Sequence, residues 1–218
     1  MLKTFYNEDI LEAGIDEAGR GPMFGRVYSA AVIIPQDDTF KQPFIKDSKK
    51  LSEKKRNEAY DFIINNSIDW SVTWKDEKYI DSKNIYYATF DSMHETLRKL
   101  QVTPEYLLVD GSEFQIYIDK CEIIPHKCVV KGDNVYASIA AASILAKVSR
   151  DKYINDMCDK YPLLEKYYDL RNNKGYGTKN HMEGIKHYGI SPWHRKSFGI
   201  CGVSKVNKVF LNWNVWNV

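Results

Sequence analysis

The ten residues Ala13-Gly14-Ile15-Asp16-Glu17-Ala18-Gly19-Arg20-Gly21-Pro22 decide the reading of this chain. They begin within a β-rich apolar run, residues 10–15, and pass through two adjacent acids into a glycine-rich segment. A second apolar run, residues 27–34, follows Gly25. Two such runs around Gly and Pro punctuation read as strands joined by a loop. Asp16 and Glu17 therefore stand at a strand-to-loop junction. Just beyond it, the missing side chains of Gly19 and Gly21 suit either a tight turn before Pro22 or a close approach of backbone to a ligand.

Two more acids share that position. Tyr106-Leu107-Leu108-Val109 is a short continuous apolar run, as expected of a buried central strand, and it ends in Asp110-Gly111. A further run at residues 128–131 leads to Gly132-Asp133. In an open sheet, site residues assemble in the crevice at the strand ends, so acids ending neighbouring strands are expected to converge. Clustered carboxylates repel one another, and four without a His or Cys partner are best tolerated around hard divalent cations, Mg²⁺ or Mn²⁺. Two such ions activate water and stabilise a leaving oxygen, so the expected chemistry is phosphodiester hydrolysis. Taken singly, Asp110 before Gly111 is also an ordinary turn pair. Neither the 5 His nor the 4 Cys show zinc-ligand spacing.

The rest of the chain reads as an alternation of helices and strands. Ser52 caps an amphipathic helix that ends at Asn65-Asn66, a third strand covers residues 68–74, and a second helix covers residues 84–100. Residues 134–161 form a long helix rich in Ala and Ser, a face that can pack closely on a sheet or a ligand. From residue 162 the chain turns less regular, with the Gly175-Tyr176-Gly177-Thr178 turn and a helix near residues 180–188. The expected organisation is one domain, 1–218, of which 162–218 make a smaller substrate-contacting C-terminal lobe and tail. Around Trp213 and Trp216 apolar residues alternate with Asn, which suits an edge strand, a docked tail or a partner contact.

A length of 218 residues, 44% hydrophobic and 28% charged, is that of a globular protein with one well-buried core. Its net charge of +2, from 31 basic against 29 acidic residues, argues neither for nor against a polyanionic partner. Basic residues do cluster, in Lys46, Lys49, Lys50, Lys54, Lys55 and Arg56 and again between Lys174 and Lys196, which fits a basic groove or solvated helix faces. No run approaches the roughly 18 apolar residues of a membrane helix, and residues 1–12 lack the apolar core of a signal peptide. The expectation is a cytoplasmic protein without membrane contact, its cysteines free thiols mostly in the core.

Read together, the blocks resemble those of the type 2 ribonucleases H, the ribonuclease HII family with its archaeal and eukaryotic relatives. After the opening ten residues come Lys46-Asp47-Ser48-Lys49-Lys50-Leu51-Ser52, Leu108-Val109-Asp110-Gly111, Lys131-Gly132-Asp133 and Ala141-Ala142-Ser143-Ile144-Leu145-Ala146-Lys147. Gly175-Tyr176-Gly177-Thr178 with His181, and His194-Arg195-Lys196-Ser197-Phe198, complete the series in family order. The resemblance implies an α/β ribonuclease H-like fold: a mixed five-stranded sheet flanked by helices, with a helical C-terminal part. It implies that Asp16, Glu17, Asp110 and Asp133 are the catalytic, metal-binding acids, the same four that strand-end reasoning selects. It further implies a two-metal endoribonuclease that hydrolyses the RNA strand of RNA/DNA hybrids and cuts 5′ of ribonucleotides in duplex DNA. Removal of such ribonucleotides and of RNA primers would be its role, as a lone catalyst without obligate subunits.

Only the 2′-hydroxyl tells a ribonucleotide from a deoxyribonucleotide, so a reader must come close to the sugar. Gly19, Arg20 and Gly21 are the expected readers, with the Arg20 fork on a neighbouring phosphate. Tyr176, between two glycines in a polar loop, suits stacking on a sugar or base, and the resemblance implies that it packs on the deoxynucleotide after the ribonucleotide. Lys49, with Ser48, is expected at a phosphate, and His181 and His194 either contact phosphate or order the C-terminal loops. The related type 3 enzymes usually carry an extra N-terminal substrate-binding domain; here the first acid comes at Asp16, and Gly-Arg-Gly is present.

Overall fold

A computed structural model describes residues 2–40, 42, 44–45, 48 and 51–211. Lys49, Trp213 and Trp216 lie outside the described residues. The strands are β1 (Glu12–Ala18), β2 (Val27–Ile33), β3 (Asp69–Lys75), β4 (Tyr106–Asp110), β5 (Tyr117–Asp119), β6 (Glu122–Ile124) and β7 (His126–Val129). The α-helices are α1 (Glu53–Asn66), α2 (Glu77–Arg98), α3 (Ala137–Lys160), α4 (Pro162–Tyr168), α5 (Leu170–Asn173) and α6 (Lys179–Tyr188). Two compact units divide the chain: Met1–Ala18, Tyr28–Trp74 and Thr89–Ser149 make the first, and Gly19–Val27, Lys75–Ala88 and Arg150–Val218 the second.

The first unit holds the expected mixed five-stranded sheet, in the order β3-β2-β1-β4-β7. β1 runs antiparallel to β2 and parallel to β4, and β4 runs parallel to β7. Because strand side chains alternate between faces, Ala30 and Val32 pack on one side with Ala59 and Ile63 of α1 and Ala140, Ile144 and Leu145 of α3. Ala31 and Ile33 pack on the other side with Phe90, Met93 and Leu97 of α2. The small residues of α3 let it lie against the sheet at contact distance. A Cβ added at Gly14 would fall 2.2 Å from the Ser138 carbonyl carbon, so β1 has room for no side chain there.

β1 begins and ends later than expected, at 12–18 against 10–15. Its antiparallel pairing with β2 continues to Ala18 opposite Tyr28 and carries Asp16 and Glu17 inside the strand. The run at 128–131 begins earlier, as β7, and stops at Val129. Lys131 then takes the left-handed conformation (φ 56°) and opens a single 3₁₀ turn, Gly132–Asn134. The helix expected from residue 84 starts at Glu77, with a break at Asn84 (φ 65°). The Asn84 carboxamide oxygen accepts from the Tyr86 and Tyr87 N–H groups, which makes Asn84 a cap for the segment that periodicity detected. Ser52 caps α1 as expected, accepting from the Lys55 N–H at 3.4 Å.

In the second unit α4, α5 and α6 enclose a separate core of Phe24, Ile154, Cys158, Leu164, Tyr168, Leu170 and Ile185. All four cysteines are free; Cys158 and Cys201 are buried, whereas Cys121 is exposed and Cys128 half-buried. Among the described residues, no helix is long and apolar enough to cross a membrane.

Candidate active site

The candidate residues fall into two groups, one in each unit. In the first unit the parallel register pairs Ile15 with Val109, so Asp16 and Asp110 come one residue later on neighbouring strands. Asp16 is buried, 6% exposed. Burial pushes its carboxyl well above its ordinary pKa; the charges of Glu17 and then Asp110 push the same way, while a hydrogen bond from Ser143 and one from the Glu17 N–H pull it down. That last bond measures 2.7 Å. Asp110 accepts from the Gly132 N–H at 2.6 Å, and the next residue, Asp133, is buried and accepts from the Asn134 amide at 2.8 Å. Topology thus places all four acids in the first unit, within the last paired residues of β1, at the end of β4 and in the turn after β7.

As a set of cation ligands these acids fit in chemistry. They offer only oxygens, which hard divalent ions prefer, and Asp16 suffers repulsion from Glu17 and Asp110 that a cation would relieve. Among the described residues no three His, Cys, Asp or Glu side chains stand together as a ready-made ion cage.

One residue behind the acids, Ser143, was not among the expected site residues. The Ser143 hydroxyl on α3 bonds to Asp16 and lies 3.1 Å from the Ser48 hydroxyl. Ser48, expected at a phosphate, is 3% exposed with its hydroxyl on Ser143. Sequence reading left the small face of α3 open to a sheet or a ligand, and Ser143, a polar residue beside Ala140, Ala141 and Ala142, was the hint of a polar contact there.

The second unit holds the glycine loop. Gly19 has φ 100°, a region that L side chains avoid, and a Cβ there would lie 2.2 Å from Nε of Arg150. Arg195, fully buried, donates to the carbonyls of Gly19 (2.6 Å), Arg20 (3.0 Å) and Gly25 (2.8 Å). Arg150 donates to those of Arg26 (3.1 Å), Lys174 (2.9 Å) and Phe24 (3.1 Å). Burial and then the Arg150 charge push Arg195 down to about 9, so it remains a cation at neutral pH. Two buried guanidinium groups hold the loop from inside by its carbonyl oxygens. Arg20 itself is exposed.

Tyr176 is 46% exposed, and its ring reaches Gly21: a Cβ on Gly21 would meet the Tyr176 ring at 3.4 Å. The structure therefore brings Gly21 and Tyr176 together, 155 residues apart in sequence (176 − 21). His181 and His194 are buried and bonded to each other, which places them among the groups that order the C-terminal loops. Arg195 belongs to a motif block and Arg150 to none, and the burial of both is invisible in sequence, where an arginine reads as surface.

A mixed five-stranded sheet with this order and with acids at adjacent strand ends defines a ribonuclease H-like nuclease. Residues 13–201 match the family model described as Ribonuclease HII. A ribonuclease HII of Bacteroides thetaiotaomicron is 45% identical over 210 residues, 96% of this chain and 100% of the relative. The ribonuclease H2 of Pyrococcus horikoshii superposes with a TM-score of 0.71 at 24% identity, covering 93% of this chain and 98% of that one. The ribonuclease HII of Archaeoglobus fulgidus, solved in complex with PCNA, gives 0.70 at 27% identity over 87% and 96% of the two chains. The chain belongs to the ribonuclease HII family and is a ribonuclease H endonuclease.

Proposed function

We propose that this endonuclease hydrolyses the RNA strand of RNA/DNA hybrids and also cuts 5′ of a ribonucleotide embedded in duplex DNA, leaving a 3′-hydroxyl and a 5′-phosphate. The observation that carries the reading is the mutual repulsion of Asp16, Glu17 and Asp110 around a buried carboxyl. Such a group costs stability without a counter-charge, which makes it a candidate for function. Asp16, Glu17, Asp110 and Asp133 would hold Mg²⁺ or Mn²⁺. When bound, two such ions supply an activated water and neutralise the charge that develops at the scissile phosphate.

The chain's own residues orient and select. Ser143, backed by Ser48, directs the Asp16 carboxylate, and the Gly132 N–H directs that of Asp110. Gly19 and Gly21 bring backbone up to the ribose 2′-hydroxyl, Arg20 holds the adjoining phosphate, and Tyr176 packs on the following deoxynucleotide; Lys49 completes the phosphate contacts. Cleavage in this reading needs one catalytic domain, 1–218, its 162–218 part contacting substrate. It works as a monomer in the cytoplasm, clearing ribonucleotides and RNA primers from DNA.

The test is a duplex containing a single ribonucleotide, incubated with Mg²⁺ or Mn²⁺ and mapped to the bond, beside a continuous hybrid. Cleavage at the 5′ bond of the lone ribonucleotide is the expected result. A protein that cuts the hybrid and leaves the single site intact refutes the junction-reading half of the proposal.

A further inference from the structure

His181 and His194 make a chain of hydrogen bonds whose proton positions are set at both ends. Nδ1 of His181 lies 2.9 Å from the Tyr176 carbonyl oxygen. A carbonyl only accepts, so Nδ1 carries the proton and Nε2 of a neutral His181 is an acceptor. Nε2 of His194 stands 2.9 Å from that Nε2 and must then be the donor. This leaves Nδ1 of His194 to accept. At that atom stand the Ser191 backbone N–H, at 3.0 Å and able only to donate, and the Ser191 hydroxyl at 2.7 Å. Starting from Ser191 instead of Tyr176 returns the same order, so one tautomer of each ring satisfies every bond.

The surroundings keep both rings neutral. Phe24 and Tyr168 pack edge-on to His194, with centroids at 5.2 Å and 4.7 Å, and Tyr168 also borders His181. Among the described residues Asp169 is the charge that acts on His181, and its carboxylate also accepts from Asn172 and Asn180. Burial pushes His181 below the ordinary imidazole range and, with the His181 charge adding to it, pushes His194 well below. A proton added to either ring would set two N–H groups against each other across the 2.9 Å contact, or turn an N–H toward the Ser191 amide.

We propose that His181 and His194 are positioning residues: a one-directional relay anchored at Ser191 fixes the Tyr176 backbone and thereby holds its ring against Gly21. The inference rests on the reading of Tyr176 as the group that packs on the deoxynucleotide at the junction. A continuous hybrid offers no such deoxynucleotide, so the relay governs the choice between substrates.

Two measurements on the full chain test it. Nitrogen-15 NMR of the histidine rings at neutral pH should show a proton on Nδ1 of His181 and on Nε2 of His194; the opposite tautomer in either ring, or a cationic ring, overturns the proposal. In kinetics, His181→Gln removes the side-chain donor to the Tyr176 carbonyl, which keeps the Thr178 N–H at 2.8 Å, whereas His181→Asn keeps a donor where Nδ1 stands. H181Q should lower kcat/KM on the single-ribonucleotide duplex relative to the hybrid by about tenfold, the scale of one lost hydrogen bond, with the loss in KM; H181N should restore most of it. Equal loss on both substrates, or none, overturns the relay's role. Tyr176→Ala separates the premises: if it leaves the substrate ratio at the wild-type value, the reading of Tyr176 fails whatever the tautomers show.

Discussion

Asp16 in the first unit and Arg195 in the second are both buried ionisable groups, 6% and 0% exposed, with opposite surroundings. Arg195 meets three carbonyl oxygens that satisfy its guanidinium fork. Asp16 meets two further acids as well as its hydrogen bonds, and burial with their charges lifts its pKa well above the ordinary carboxylate range. A charge that the fold satisfies serves to hold a shape; a charge that the fold leaves in conflict is kept for something that arrives from outside. The contrast agrees with the proposed reading, in which the acids cut and the caged loop with Tyr176 selects the substrate.

The largest effect expected from breaking this contrast is on rate. Asp110→Asn should reduce cleavage by on the order of 10³-fold, the scale of losing one preorganised electrostatic group, with folding and duplex binding retained. Wild-type cleavage by that variant, measured on the single-ribonucleotide duplex, would remove Asp110 from the reacting site. Next in size, Arg195→Met strands three carbonyls at once and should cost at least about 3 kcal/mol in urea unfolding, at roughly 1 kcal/mol or more for each unpaired buried group. A loss well under that figure means that water or a neighbour replaces the cage.

A smaller effect concerns pH. The folded His181 and His194 lie below the ordinary value of 6.5 that the unfolded chain shows. Their contribution to stability is thus complete above pH 6.5 and drains away as the pH falls from there through the folded values. From pH 6.5 down toward its folded value each ring adds a slope of up to about 1.4 kcal/mol per pH unit. His194→Asn should remove one such slope in urea titrations. The smallest effect on stability has the opposite sign. A raised Asp16 pKa gives stability that is present at low pH and lost as the pH rises through the folded value, so Asp16→Asn should raise the urea midpoint at pH 7 and abolish cleavage. It should also shrink the stabilisation that added Mg²⁺ gives the wild type.

Legibility followed the range of the interactions involved. Short-range signals were readable: Ser52 as a cap, Asp110 after an apolar strand, and the glycine loop between β1 and β2. Asn84 shows where local reading stops, since periodicity found the helix after it and missed Glu77 to Lys83 before it. The two three-residue strands β5 and β6 are too short to carry a pattern, and their turn uses Lys120 and Cys121 at positive φ rather than glycine.

Composition and order of residues by themselves determined the strand-end acids, the family blocks and the sheet class, because these depend on side-chain period and local backbone chemistry. Tertiary structure alone decided what stands behind them: Ser143 on Asp16, the Arg150 and Arg195 cage, the Tyr176 ring against Gly21, and the direction of the His181–His194 bond. Each of those joins residues more than ten positions apart. Whether a polar side chain at such a distance is solvated or spent on a particular partner depends on burial and on hydrogen-bond geometry, which no spacing along the chain encodes.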